Sequence, residues 1–501
     1  MPDTFPSNIY TSHIPGKGRG LFTSHAIEAG ELVFLLDRPL LCVPSNRHLD
    51  ETCYHCFLWL PQNTPKFEDD TRRLQGCMGC KVVKYCSKSC QSRSWAGYHK
   101  FECKILGRLY PQVPPSLVRM VMQLLLRKKA DALSHSEWND FLRTVDHVDR
   151  LKKDSTKGGL SHDRWHDVQL MSQAAHRYSG THESLILVQS MMARSLVNSM
   201  TVTDGTGSTL GTCLSTSAAL LNHSCNPSCV FIFSGASLSI RSLRPIPANA
   251  ELTISYTDIT KPTHRRQLDL RSMYYFNCTC EYCTNNLTCG LPDVPTALEK
   301  GLSSAKILDL EAEGERLQSL AGDATPANKI KLLDQAMELF VPYKDIYPVW
   351  RHPWPSIRDE VRLLHWNLDH WSVATVHALK AYFFIDPMLY SNAWHPVRIQ
   401  RVFVMFKLIR ELQYQIFVSP DDGGDRVEGD LKKYNIQWLS VNKGLEEEIE
   451  AAIPKGFGTE SSFAEEYRRL PKSESPEKWG MRVDWVGERA KLERAAREIA
   501  N

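Results

Sequence analysis

Eight soft or borderline metal ligands fall within about fifty residues: Cys53-x2-Cys56, Cys77-x2-Cys80, Cys86-x3-Cys90 and His99-x3-Cys103. Pairs at these spacings bring two side chains to one ion. A structural zinc takes four ligands in a closed tetrahedron, so eight ligands predict two zinc sites. Isolated buried cysteines would not generate four consecutive pairs, and redox chemistry at one CxxC pair leaves its neighbours without a role. Further on, "YYFNCTCEYC" offers Cys278, Cys280 and Cys283 to a third ion, one ligand short of four. Cys225, in "LLNHSCNPSC" (220–229), is the expected fourth, with Cys289 as the alternative.

If Cys225 closes that site, Asn222 and His223 are held beside it, where polar groups must find partners or a ligand. The elements that would position them are short strands. "CVFIFSGASLSIRSLRPIPANAELTISYTD" alternates and breaks as a β-meander. Strands are expected at Cys229–Phe233, Leu238–Leu243 and Glu251–Ser255, with a turn at 234–236. Near the start, "GKGRGLFTSHAIEAGELVFLLDRPLL" repeats the turn-then-strand pattern, with "IEAGELVF" echoing "IPANAELTI".

These pieces together resemble a known group. "KYCSKSCQSRSWAGYHKFEC" closing the CxxC, CxxC, CxxxC, HxxxC order resembles a MYND zinc finger. GKGRGLF (16–22), NHSCNP (222–227), ELTISYTD (251–258) and FNCTCEYC (276–283), in register with that finger, resemble the SET-and-MYND protein lysine methyltransferases. The likeness covers about residues 10–285. It implies an α+β fold: a SET-domain β-fold of short, pseudoknotted sheets, an inserted MYND finger and helical insert, a post-SET zinc site and an all-α C-terminal domain. The implied boundaries are 1–50 and 196–260 for the SET parts, 51–105 for the finger and 106–195 for the helical insert. The post-SET region would be 261–290 and the TPR-like tail 291–501, although no 34-residue repeat is visible.

The resemblance also implies roles. Cys53, Cys56, Cys86 and Cys90 would hold one zinc, and Cys77, Cys80, His99 and Cys103 another, in a cross-braced finger. With Cys225, Cys278, Cys280 and Cys283 the expected total is three structural zincs. S-adenosylmethionine would lie against Lys17, Gly18 and Arg19, where glycines allow close backbone approach. Asn198, Asn222 and His223 would contact it, and Phe276 would pack on its adenine. Tyr256 is the expected catalytic residue, orienting the lysine nitrogen for in-line methyl transfer, and Tyr274 a second channel aromatic. Two departures from the group stand out. Cys213, Leu214, Ser215 and Thr216 occupy the place of a Gly-Leu-aromatic-Pro segment, and Asn249-Ala250 replaces a Gly-Glu turn; Asn tolerates the left-handed geometry this requires.

The remaining sequence sets bounds. A formal net charge of +3, with 23% charged and 42% hydrophobic residues, excludes chain-wide polyelectrolyte behaviour. No signal-peptide pattern and no run of eighteen apolar residues is seen, so a chain of cytoplasm and nucleus, with no membrane contact, is expected. Arg72, Arg73, Lys81, Lys84, Lys88, Arg93, Lys100, Lys104 and Arg108 face only Glu102 in the finger. That basic run allows weak, nonspecific nucleic-acid contact but lacks a recognition helix. Helices are expected around 115–133 and 182–200, and in the tail at 327–341, 357–384, 396–417 and 487–500, with Thr325-Pro326 as a helix start. Loops are expected at 57–76, 152–163 and 419–433. Eight of the twelve tryptophans lie in 350–485, as helix packing predicts.

The function expected is therefore a protein-lysine methyltransferase acting as a monomer on a histone or other protein substrate. The alternative is a catalytically weak adaptor recruiting proline-rich partners through its finger.

Overall fold

The computed structural model describes residues 5–61, 72–155, 164–293, 301–418, 426–473 and 482–499. The middle of the 57–76 loop, residues 156–163 of the second expected loop and residues 419–425 of the third lie outside them. The chain divides into two compact units: 1–256 with 269–277, and 257–268 with 278–501.

Among the described residues, three small sheets and the short pairing of Gln75–Gly76 with Lys84–Tyr85 build the first unit. In one, the hairpin Ile9–Ile14 and Gly18–Thr23 is extended by Glu251–Ile254, which pairs antiparallel with Gly18–Thr23 and parallel with the two-residue strand Asn222–His223. A second joins Cys229–Ser234, Ser237–Ser242 and Leu32–Leu36. The expected strands fall within a residue or two of those seen, but the expected three-stranded meander is corrected, since Glu251–Ile254 belongs to the first sheet and Leu32–Leu36 takes the third place here. Asn249, in the turn before Glu251, sits at φ 62°, the left-handed geometry anticipated for it. A third sheet, Leu41–Pro44, Thr209–Leu214 and Ser199–Thr203, separates two cores. Because side chains alternate along a strand, Cys42 and Cys213 face the core built on Leu21, Leu238 and Leu252. Leu41, Val43 and Leu214 face the helical insert instead.

That insert is mainly helical, as its 3.6-residue apolar spacing predicts. Ser116–Lys129, His135–Leu142, Val148–Ser155, Arg164–Ser179 and Leu185–Asn198 enclose Val121, Leu125, Phe141, Val188 and Met192.

The second unit is helical apart from the small Leu287–Thr288/Leu291–Pro292 hairpin. Pro326–Glu338 starts with proline at its first position after Thr325, although the threonine hydroxyl makes no capping bond. The single helix expected over 357–384 is interrupted. Trp354–Asn367 ends before Asp369, which adopts φ 59°, and Trp371–Lys380 begins anew. The expected 419–433 loop is corrected in part, because Arg426–Lys432 is helical. Trp485 packs onto Gly444, where any Cβ would collide with the indole; this is the packing use of tryptophan the sequence suggested. No helix of the described residues is long and apolar enough to cross a membrane.

Candidate functional site

The finger holds two complete ligand sets, each with all its ligand atoms within 4.8 Å of one another. In the first, Cys56 and Cys86 sulfurs are 3.5 Å apart, as are Cys86 and Cys90, while the Cys86 amide donates to the Cys53 sulfur at 3.4 Å. In the second, Cys77 and Cys103 sulfurs are 3.7 Å apart, and His99 Nε2 lies 3.4 Å from Cys77 Sγ and 3.6 Å from Cys80 Sγ. A tetrahedral zinc with Zn–S about 2.3 Å and Zn–N about 2.0–2.1 Å places sulfurs about 3.8 Å apart and N–S pairs about 3.5 Å apart. The residues fit zinc in the cross-braced pairing expected.

The finger has a buried support that sequence reading placed among surface charges. Glu102 is fully buried. Its carboxylate accepts from Tyr54 Oη at 2.8 Å, lies 3.3 Å from His99 Nδ1, and accepts from Gln123 Nε2 at 3.3 Å. A carboxylate behind a metal-ligating imidazole sets its tautomer and its orientation. The only early signal was a lone acid three residues after His99, one helical turn on.

Cys278, Cys280 and Cys283 form the third cluster, their sulfurs within 4.8 Å of one another. Cys289 is not among them. Its thiol instead donates to the Ile259 carbonyl at 3.5 Å, and burial raises its pKa to about 12. Cys225 is buried in the first unit, 3.2 Å from His223 Nε2.

Around Asn222 the backbone explains the sequence. Ser215, standing where the resembling group has an aromatic, is buried and accepts from the Ala218 amide at 3.1 Å. This caps the one-turn helix Ala218–Leu220 that delivers Leu221 and Asn222 to their strand. Asn222 donates to the Arg19 carbonyl at 3.2 Å and to Glu251 Oε1 at 2.9 Å, tying the glycine loop to the sheet. A Cβ at Gly20 would lie 2.9 Å from that amide nitrogen, so only glycine lets the two meet. At Gly16 and Gly18, φ is 76° and 81°, with nothing within 4 Å of an added Cβ; this loop is left-handed and open.

His223 commits both ring nitrogens. Nδ1 accepts from the Tyr256 amide at 2.9 Å, which leaves the proton on Nε2, facing Cys225. The Tyr256 hydroxyl donates to the Leu221 carbonyl at 2.6 Å. Its ring stands 5.4 Å from His223 and 4.8 Å from Tyr274, and Phe276 stands 5.9 Å from His223. Burial, then the neighbouring Tyr274 and Glu251, holds the Tyr256 phenol well above its ordinary pKa. It is a neutral donor at any physiological pH.

Beside this group lies a cavity of about 320 Å³ lined by Thr144 through Arg150 and by Arg194, a segment sequence reading left inside the helical insert. Asn198 reaches its wall, and Arg19 the residue before it. Arg19 donates to the Arg143 carbonyl at 3.4 Å, and Asn198 donates to the carbonyls of Val145 and Arg194 at 2.7 and 2.8 Å. Asn198 therefore spends both amide hydrogens shaping the wall. Burial, then Arg150, lowers the pKa of His147, and its ring lies 5.2 Å from Tyr275. Nothing in the local sequence pattern marks 144–150, because its part depends on contacts with residues far away in the chain.

A family profile described as the SET domain matches residues 18–257. The fission yeast (Schizosaccharomyces pombe) SET domain and MYND-type zinc finger protein 6 is 30% identical over 277 residues, 55% of this chain and 52% of that protein. Human histone-lysine N-methyltransferase SMYD3 is 30% identical over 274 residues, 53% of this chain and 59% of that one. Zebrafish (Danio rerio) N-lysine methyltransferase SMYD2-B is 32% identical over 281 residues, 54% and 58%. Over about half its length, the chain is similar to SET-and-MYND proteins. The matched segment spans between half and three fifths of these relatives' own length. The residues matched by the SET profile, 18–257, include Asn222, His223 and Tyr256.

Proposed function

We propose that this chain is an S-adenosylmethionine-dependent protein-lysine N-methyltransferase of cytoplasm and nucleus, acting on histone or other protein lysines. The observation that carries the reading is Tyr256: a buried, neutral phenol fixed at its hydroxyl by Leu221 and at its amide by His223, with Tyr274 against its face.

The chemistry of the residues suits the cofactor. Lys17 and Arg19 on the open glycine loop would meet its carboxylate, the 144–150 cavity and Asn222 its polar parts, and Phe276 its adenine. When bound, it supplies an electrophilic methyl on a sulfonium. Since the ring of His223 is fully engaged, what remains for a ligand at this position is its peptide group. Tyr256 and Tyr274 form an aromatic wall that aligns a lysine side chain and favours a desolvated amine. A free lysine has a pKa of about 10.4; desolvation beside a positive charge lowers it, so the neutral nucleophile is reached near physiological pH and its proton passes to water. Alignment of nucleophile and methyl supplies most of the acceleration.

The finger is read as MYND-type, with Cys225 the fourth ligand of the third zinc. As a zinc thiolate, Cys225 would accept from His223 Nε2, linking that ion to the backbone of Tyr256. A second, recruiting role is favoured by the finger's outer face, where Met78 is 88% and Trp95 49% exposed among basic side chains; proline-rich segments suit such a face.

The test is methyl transfer from labelled S-adenosylmethionine to histones and a cell extract by wild type and Tyr256→Phe. Methyl-lysine from wild type, reduced at least about a hundredfold in the variant, is expected. Folded, zinc-loaded protein that binds no cofactor would overturn the reading.

A further inference from the structure

Tyr275 is the strained point of the site. It is a bulky residue at φ 60°, a left-handed conformation that costs a non-glycine residue about 1 kcal/mol or more and persists only where the surroundings over-determine it. The strain has a geometric use. It turns the chain between Tyr274, whose ring faces Tyr256, and Phe276, whose ring faces His223.

The surroundings that hold it belong to the helical insert. Arg150 donates from Nη1 to the Tyr275 carbonyl at 2.9 Å, and its guanidinium lies 5.9 Å from the centre of the Tyr275 ring. His147, on the same segment, packs edge-on against that ring. Arg164, at the start of the next helix, donates to the Ser272 carbonyl at 2.7 Å and from Nη2 to the Met273 sulfur at 3.0 Å. Two arginines about a hundred residues away in sequence thus grip the chain on both sides of Tyr274. Neither touches Tyr256 or His223 in any described contact, so neither acts on the reacting atoms directly.

We propose that Arg150 and Arg164 are positioning residues for methyl transfer. They form a latch from the helical insert that holds residues 272–276 in their strained turn and so sets Tyr274 and Phe276 against Tyr256 and His223. The inference rests on the reading of Tyr256 as head of a lysine channel. It assigns the insert a task in turnover: the channel wall is shaped by a grip on main-chain carbonyls, which donors of the right reach can replace.

The experiment uses the full zinc-loaded chain and compares wild type, Arg150→Gln/Arg164→Gln, and Arg150→Lys/Arg164→Lys. Hydrogen exchange of the 272–277 amides is followed together with zinc content, thermal midpoint and steady-state methylation of a peptide. In the Gln pair, exchange at 272–277 is expected to quicken about tenfold or more while the helices at 116–129 and 185–198 keep their protection. Its kcat should fall about 10–100-fold, as misplacement by an ångström does, with peptide KM within about threefold. The Lys pair, keeping charge and a donor, should recover most of both. Unchanged exchange at 272–277, faster exchange spread evenly through the insert, or faster local exchange with unaltered kcat would each overturn the latch. Exchange needs no turnover. A wild type that methylates nothing would remove the methyltransferase reading, and the exchange data would still decide the grip.

Discussion

Replacing Glu102 by Gln should loosen one zinc and leave the others in place. The carboxylate is fully buried and serves three partners: the Tyr54 hydroxyl, the His99 ring and the Gln123 amide. All three point hydrogens at it when His99 ligates through Nε2, since Nδ1 must then carry the proton. An ionised carboxylate accepts them all. An amide offers one acceptor oxygen and turns an NH2 group toward at least one of those donors. Losing the oriented, charge-assisted partner of a ligating imidazole typically costs 10–100-fold in metal affinity, or about 1.4–2.8 kcal/mol at 1.4 kcal/mol per decade. The assay is competition with a chromogenic chelator on the full chain, counting zinc released per chain against time. One ion should leave 10–100 times more readily, while the Cys53/Cys56/Cys86/Cys90 ion is retained. Tyr54→Phe, which removes one donor and leaves the carboxylate, should shift release by less. Zinc release from Glu102→Gln indistinguishable from wild type would refute the claim that this carboxylate orients His99.

Further outcomes follow from the same geometry. About three zinc ions per chain should be found by elemental analysis, falling to about two in Cys225→Ser if that thiol closes the third set. Gly235→Ala should destabilise the finger by about 1–3 kcal/mol, because Gly235 is at φ 60° and an added Cβ would collide with the Cys56 carbonyl oxygen; thermal unfolding and zinc retention read this out. Glu311→Gln should cost about 3–5 kcal/mol in denaturant unfolding, since it strands the Arg351 guanidinium, 7% exposed and 2.8 Å from the carboxylate. Lys380 is pushed down to about 7 from 10.5 by burial, with Arg358 adding to the effect. Between those values the unfolded chain holds a proton that the folded one lacks, so this group makes stability rise with pH across that window. Lys380→Met should flatten the rise, and an unchanged slope in urea unfolding between pH 7 and 10 would count against it.

What could be read from the sequence was whatever is encoded by spacing. The eight finger ligands pair at intervals that only a shared ion explains, and the cross-bracing implied by family likeness is the one observed. The hairpin at 229–242 was legible because side chains on a strand alternate and because Ser234-Gly235-Ala236 breaks the run; that Glu251–Ile254 joins a different sheet was not. Asn249 was legible because few residues other than glycine accept left-handed backbone. Asn222 and His223 stood out as polar groups directly after an apolar run, while Tyr256 was named by resemblance to the SET-and-MYND group. The interruption at Asp369 was not legible, because the helical pattern continues in phase on both sides of it.

Tertiary structure alone decided the rest, for one physical reason: these features depend on partners remote in sequence, and a local pattern carries no information about them. Glu102 reads as one acid in a basic run until folding buries it behind His99. The 144–150 segment carries no local mark of its part until Asn198 bonds to the Val145 carbonyl. That Tyr256 and Cys225 face the two ring nitrogens of His223 is seen only in the fold. Arg150 and Arg164 read as solvated cations; only the folded chain brings them to the carbonyls on either side of Tyr274.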